Sequence, residues 1–175
     1  MCAAAAARKF PRKKEDRVRL MASAFTAMAI LSSGGFLLAA AASPHVIQSV
    51  KDVQWGPAPP LIPPGAKIAV VSGDPGKAAP YTVRLKFPAN YAIAAHSHPT
   101  DENVVIVSGA LTFGMGDKLV KGAAGNKTLG VGGCALMPAN MNHFAYTTKE
   151  TTIVLYGMGP VDFKYVNPAD DPRNK

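Results

Sequence analysis

Tyr91-Ala92-Ile93-Ala94-Ala95-His96-Ser97-His98, then Pro99-Thr100-Asp101-Glu102, then Asn103-Val104-Val105-Ile106-Val107-Ser108, is the stretch whose reading decides the fold. Two apolar runs flank a turn of proline, threonine and aspartate, so the segment reads as strand, turn, strand. His96 and His98 stand at i and i+2, on one face of a strand, because side chains alternate faces along it. Glu102, beyond the turn, can swing back toward that face from the next strand. His143 opens a second, separate strand-like run. Three neutral imidazoles and one carboxylate converging inside a barrel suit a divalent first-row metal.

Outward from this stretch the same texture continues. Short β-type runs fall at Lys67–Ser72, Tyr81–Phe87, Ala110–Met115, Thr128–Val131, Cys134–Met137, His143–Thr147, Thr151–Met158 and Asp162–Val166. Gly, Pro, Asn or Asp punctuate nearly every gap, and no helical period follows residue 50. The fold class is all-β, a barrel or a two-sheet sandwich. Val104–Val107 and Ile153–Leu155 are apolar on both faces, so these strands are expected to be covered outside as well as inside, by a second sheet or by the partner in a homodimer. Before them, Trp55–Gly65 carries five prolines and two glycines, which excludes helix and favours an extended arm lying along the domain.

A chain of 175 residues holds one domain with a real core. The formal charge of +8 invites a nucleic-acid partner, but Met1–Ala42 contains seven basic residues against two acidic ones. The remainder is nearly balanced and has no basic run, so a polyanion partner is not expected. That first segment reads as an export signal: a basic start, an apolar run from Leu20, and small residues before Pro44. A periplasmic or secreted location follows, with no membrane attachment once the leader is cut; the alternative is an apolar segment retained as a membrane anchor. Cys134, between Gly133 and Ala135, reads as a small core residue rather than a nucleophile.

Two turns echo one another: Phe87-Pro88-Ala89-Asn90-Tyr91 before the histidine pair, and Met137-Pro138-Ala139-Asn140-Met141 before His143. Proline fixes the turn's start and asparagine tolerates the left-handed conformation that closes it. Around these turns the residues resemble the cupin superfamily of double-stranded β-helix, jelly-roll-like barrels. Its first motif, Gly-x5-His-x-His-x3,4-Glu-x6-Gly, is met by Asn90, His96, His98, Glu102 and Gly109, with asparagine in place of the first glycine. Its second, Gly-x5-Pro-x-Gly-x2-His-x3-Asn, is met by Gly132, Pro138, Asn140, His143 and Thr147. Asn140 and Thr147 replace a glycine and an asparagine that do not ligate metal.

The chain thus divides into a leader at 1–42, a proline-rich arm at 43–66, the barrel that the resemblance implies at 67–166 and a polar tail at 167–175. The resemblance also implies His96, His98, Glu102 and His143 as metal ligands, with Fe, Mn, Ni, Zn or Cu all compatible. The function it implies is a metal-dependent enzyme, dioxygenase-like or Lewis-acid, acting on a small organic substrate, with Glu102 as ligand or catalytic base. A non-catalytic binder with a structural metal is the competing reading.

Parity adds local expectations. Ala145 and Thr147 share a face with His143, while Phe144 and Tyr146 face away; Val104 and Ile106 share a face with Glu102. Arg84 and Lys86 would bind an anionic substrate if they faced inward, though a solvated outer face is commoner. Met115, Met137 and Met141 read as packing residues. Asp101 is placed either on a ligand histidine or in solvent.

Overall fold

The alternation seen in the sequence becomes alternation of burial. The computed structural model describes residues 46–175, so the expected leader at 1–42 lies outside the described residues. Eleven strands follow in order: β1 (Gly56–Pro57), β2 (Lys67–Ser72), β3 (Pro80–Phe87), β4 (Ala92–Ser97), β5 (Glu102–Ser108), β6 (Ala110–Met115), β7 (Lys127–Gly130), β8 (Cys134–Met137), β9 (His143–Thr147), β10 (Thr151–Met158) and β11 (Lys164–Tyr165). In β3, Tyr81, Val83, Leu85 and Phe87 are buried, while Thr82, Arg84 and Lys86 between them are half-exposed. The cations of this strand therefore lie on its outer face, and Lys86 Nζ sits over the Trp55 ring at 4.9 Å.

All pairings are antiparallel, in two sheets of order β1-β2-β3-β10-β5-β8 and β11-β4-β9-β6-β7. The inner faces meet in one core built from residues such as Phe87, Ile93, Val104, Ile106, Ile153 and Leu155. This is the double-stranded jelly-roll barrel. Among the described residues there are, beyond the strands, three short 3-10 turns, and no helix is long and apolar enough to cross a membrane.

The echoing turns have the expected geometry: Asn90 has φ 60° and Asn140 has φ 61°. Each is held by a side chain from elsewhere. Thr147 Oγ1 accepts from Tyr91 N at 3.0 Å and donates to Pro88 O at 2.8 Å. Asp101 Oδ1 accepts from Ala139 N at 2.8 Å, so it braces the second turn and does not reach a histidine.

Three expectations need correction. The arm is not merely laid along the domain, because Gly56–Pro57 pairs with β2 and extends the first sheet. Cys134 is half-buried opposite Val105 rather than in the core. Only one of the three methionines packs: Met137 is buried, but Met115 and Met141 are exposed. On the outer face of β5 and β10, Val107 and Tyr156 are exposed in the single chain.

Candidate metal centre

The histidines come from one sheet and the carboxylate from the other. His96 near the end of β4 is registered directly opposite His143 at the start of β9. His98 follows just beyond β4. Glu102 opens β5, between Gly157 of β10 and Met137 of β8. All four are buried, His143 at 1 % exposure and Glu102 at 8 %. A site drawn from both sheets depends on the sheets' relative placement, which the barrel core fixes.

A bulge aims the first histidine. The β4–β9 register shifts between Ile93 and His96, so these two residues, three apart, both face the interior. Bulges commonly re-aim a side chain beside a functional site. The carbonyl of Ala94, within the bulge, then takes His96 Nδ1 at 2.7 Å. His143 Nδ1 meets Met141 O at 3.0 Å in the same i−2 pattern, and His98 Nδ1 meets Asp162 O at 2.8 Å. A carbonyl only accepts, so all three Nδ1 atoms carry hydrogen, and in the neutral form of each ring the lone pair is on Nε2. Backbone partners of this kind fix ligand orientation in metal sites.

The lone pairs converge. One nitrogen from each of His96, His98 and His143 lies within 4.8 Å of the others. Glu102 Oε1 is 3.5 Å from His98 Nε2, and Oε2 is 3.7 Å from His143 Nε2. At that distance His98 Nε2, although buried, has no hydrogen-bond partner. A buried polar atom without a partner is unfavourable unless something else binds it. Three imidazole nitrogens and a carboxylate fit a divalent cation, and the three histidines could hold one.

Phe163 stacks on His96 with ring centroids 4.7 Å apart and meets His98 edge-on at 4.5 Å. The segment carrying Asp162 and Phe163 is held by Arg173, which donates to Asp162 Oδ1 at 3.0 Å and to Phe163 O at 2.6 Å. Parity placed Ala145 and Val104 in the inner cavity as expected, while Phe144 and Tyr146 face the 116–126 loop. Sequence reasoning missed Asp162, Phe163 and Tyr81. Tyr81 lines the mouth of the site beside His98 and Glu102. Burial, reinforced by the Glu102 charge, raises its phenol well above the ordinary value, so it stays protonated.

Burial pushes the His96 imidazole down to about 3, and the neighbouring His143 and His98 add to the fall. For Glu102 burial acts upward, but its contact with His143 and the imidazoles of His98, His143 and His96 prevail and lower it. Both shifts have the same sign for stability. As pH falls below about 6.5 the unfolded chain protonates at the position of His96 before the folded protein does, and below about 4.5 the same holds for Glu102. Metal-free protein should therefore lose stability from about pH 6.5 toward pH 3, the His96 proton contributing up to about 1.4 kcal/mol per pH unit. Urea unfolding midpoints at pH 7 and pH 4.5 check this; an unchanged midpoint would contradict it.

No family model matches the sequence, and no curated protein matches it. Solved structures do match. An acetylacetone dioxygenase from Acinetobacter johnsonii is 18 % identical, with TM-score 0.53 over 70 % of this chain and 78 % of that one. The polyketide cyclase RemF from Streptomyces resistomycificus is 14 % identical, with TM-score 0.54 over 72 % of this chain and 89 % of that one. An RmlC-like cupin from Shewanella frigidimarina is 15 % identical, with TM-score 0.51 over 66 % of this chain and 91 % of that one. With two antiparallel sheets closed over one core and these neighbours, the chain has the cupin fold.

Proposed function

We propose that this chain is an exported metallocupin, a metal-dependent enzyme acting on a small organic molecule. The observation that carries the reading is the convergence of three tautomer-fixed imidazoles on a buried carboxylate, with one imidazole nitrogen lacking any hydrogen-bond partner. His96, His98, His143 and Glu102 would hold one divalent metal, which when bound supplies Lewis-acid polarisation and open positions for substrate or oxygen.

The chain's own residues do the rest. Backbone carbonyls of Ala94, Met141 and Asp162 keep the rings turned inward. Glu102, ionised and buried, would serve as a metal ligand or, detached from the metal, as the proton acceptor of the site. Tyr81 keeps its proton at the mouth and can donate a hydrogen bond to a substrate oxygen. That cupin folds serve an acetylacetone dioxygenase and a polyketide cyclase supports the compatibility of the scaffold with such chemistry, and no more. The leader at 1–42 implies cleavage and a periplasmic or secreted mature protein. Val107, Leu136 and Tyr156, exposed apolar side chains of the first sheet, support a homodimer.

The competing reading, a binder with a structural metal, is favoured by one observation. Among the described residues, the inner cavity offers no polar side chain besides His96, Glu102 and His143. Oxygen uptake and product formation by metal-loaded protein, over a panel of catechols, keto-acids, thiols and oxalate, decide between them. Turnover of at least one compound is expected, falling roughly 10²–10⁴-fold in Glu102→Gln, the usual size of a lost acid–base group. Metal-loaded protein that binds panel members without converting any would establish the binder.

A further inference from the structure

A surface cleft lined almost wholly by hydrocarbon adjoins the small chamber at the histidines. Its outer chamber, about 280 Å³, lies between Pro59 and Leu61 of the arm and Ile68, Val83 and Val161 of the barrel. The inner chamber, about 30 Å³, is bounded by His96, His143 and Glu102. Ile62, Leu85, Leu155 and Phe163 line both, so the chambers adjoin across these four side chains. Pro59 and Gly76 on the outer rim are exposed, so the cleft meets solvent.

The arm is a fixed wall. Tyr165 donates its phenol to Leu61 O at 2.9 Å, and Tyr91 donates its phenol to Pro63 O. Between these two anchors Ile62 turns inward and is 5 % exposed. Prolines on either side limit the backbone further. A wall set in place before binding avoids the ordering that a loose loop would undergo.

Among the described residues, neither chamber's lining contains lysine or arginine, and Tyr81 is the outer chamber's one polar side chain. Arg84 and Lys86 lie on the other face of β3. A charged group in the outer chamber would lose its water without gaining a partner. The outer volume is close to twice that of an engineered apolar cavity of about 150 Å³ that binds benzene.

We propose that this site takes a neutral molecule with a hydrocarbon body, which lies in the cleft under the arm and directs its polar end past Ile62 and Phe163 to the histidines. This assignment rests on the reading of the histidine cluster as a metal centre. The test compares two ketones of nearly equal size, 4-ethylacetophenone and 4-acetylbenzoate, which differ in the charge at the end remote from the carbonyl. Both are titrated calorimetrically into the full chain, metal-loaded and metal-free, with metal content measured on each sample.

The neutral ketone should bind the metal-loaded chain at least tenfold more tightly than the anionic one. Leu61→Trp on the rim and Ile62→Trp at the constriction should each weaken it at least tenfold, with metal content unchanged. Leu61 is half-buried, so its variant gives a reading even if Ile62→Trp fails to fold. Equal or tighter binding of 4-acetylbenzoate, undiminished binding by Leu61→Trp, or no binding of either ketone would overturn the proposal. A chain that takes up no metal yet prefers the neutral ketone refutes the metal reading and supports the cleft; one that loads metal without the preference refutes the cleft alone.

Discussion

Replacing His96 and His98 together by alanine is expected to abolish stoichiometric metal binding. Purified wild-type protein should take up about one equivalent of a divalent first-row metal. Outer partners of a metal site are each worth about 10–100-fold in affinity, so removing two ligands should weaken binding by on the order of 10⁴-fold or more. Thermal unfolding gives an independent reading. Metal at a hundred times its dissociation constant stabilises the wild type by about 2.7 kcal/mol, and the double variant should show no such rise. Metal-free stability behaves differently. Both imidazoles are buried, and His98 Nε2 lacks a hydrogen-bond partner, so their removal takes away unfavourable burial together with packing against Phe163. The metal-dependent rise therefore reports on the site, while metal-free stability reports on packing. Elemental analysis showing equal, near-zero metal in wild type and variant would sink the assignment.

The parts of this site that follow local rules were legible in the sequence. Alternation placed His96 beside His98 and Val104 beside Glu102, and asparagine at 90 and 140 announced left-handed residues that the backbone adopts. The parts that depend on backbone atoms or distant chain were hidden. The bulge between Ile93 and His96 sits in a run of alanines with no residue that marks it. Asp162 serves His98 through its carbonyl, which every residue possesses, from 64 positions away. Phe163 reads only as one apolar residue in a late strand, and nothing local says that it stacks on His96. Asp101 was ambiguous for a related reason: its partner, Ala139 N, belongs to a turn that becomes a neighbour only when the sheets close. The tail at 167–175 looked merely polar, yet its Arg173 secures the segment that carries Asp162 and Phe163.

Gly109→Ala is expected to destabilise the barrel strongly for a single added methyl. Gly109 lies where the chain leaves β5 in the first sheet and enters β6 in the second. Its φ is +78°, and a Cβ there would stand 2.3 Å from Glu150 O and 2.7 Å from Thr151 Cα. Backbone on both sides leaves little room to yield. Thr151 is 0 % exposed, and its hydroxyl accepts from Ala110 N at 3.1 Å while lying 2.9 Å from Ala110 O. Left-handed strain contributes roughly 1–2 kcal/mol, and overpacking about 1–3 kcal/mol more. A loss of about 3 kcal/mol should lower Tm by roughly 10 °C in a domain of this size. Gly132 supplies the control, since its φ is +80° and nothing lies within 4 Å of its Cβ position. Gly132→Ala should therefore show the strain alone, about 1–2 kcal/mol. The difference between the two variants isolates the close approach of β10 to the β5–β6 corner, and with it the closure that brings Glu102 of one sheet against His143 of the other. Equal losses in the two variants would mean that the corner tolerates a side chain, and that this contact does not set the spacing of the sheets.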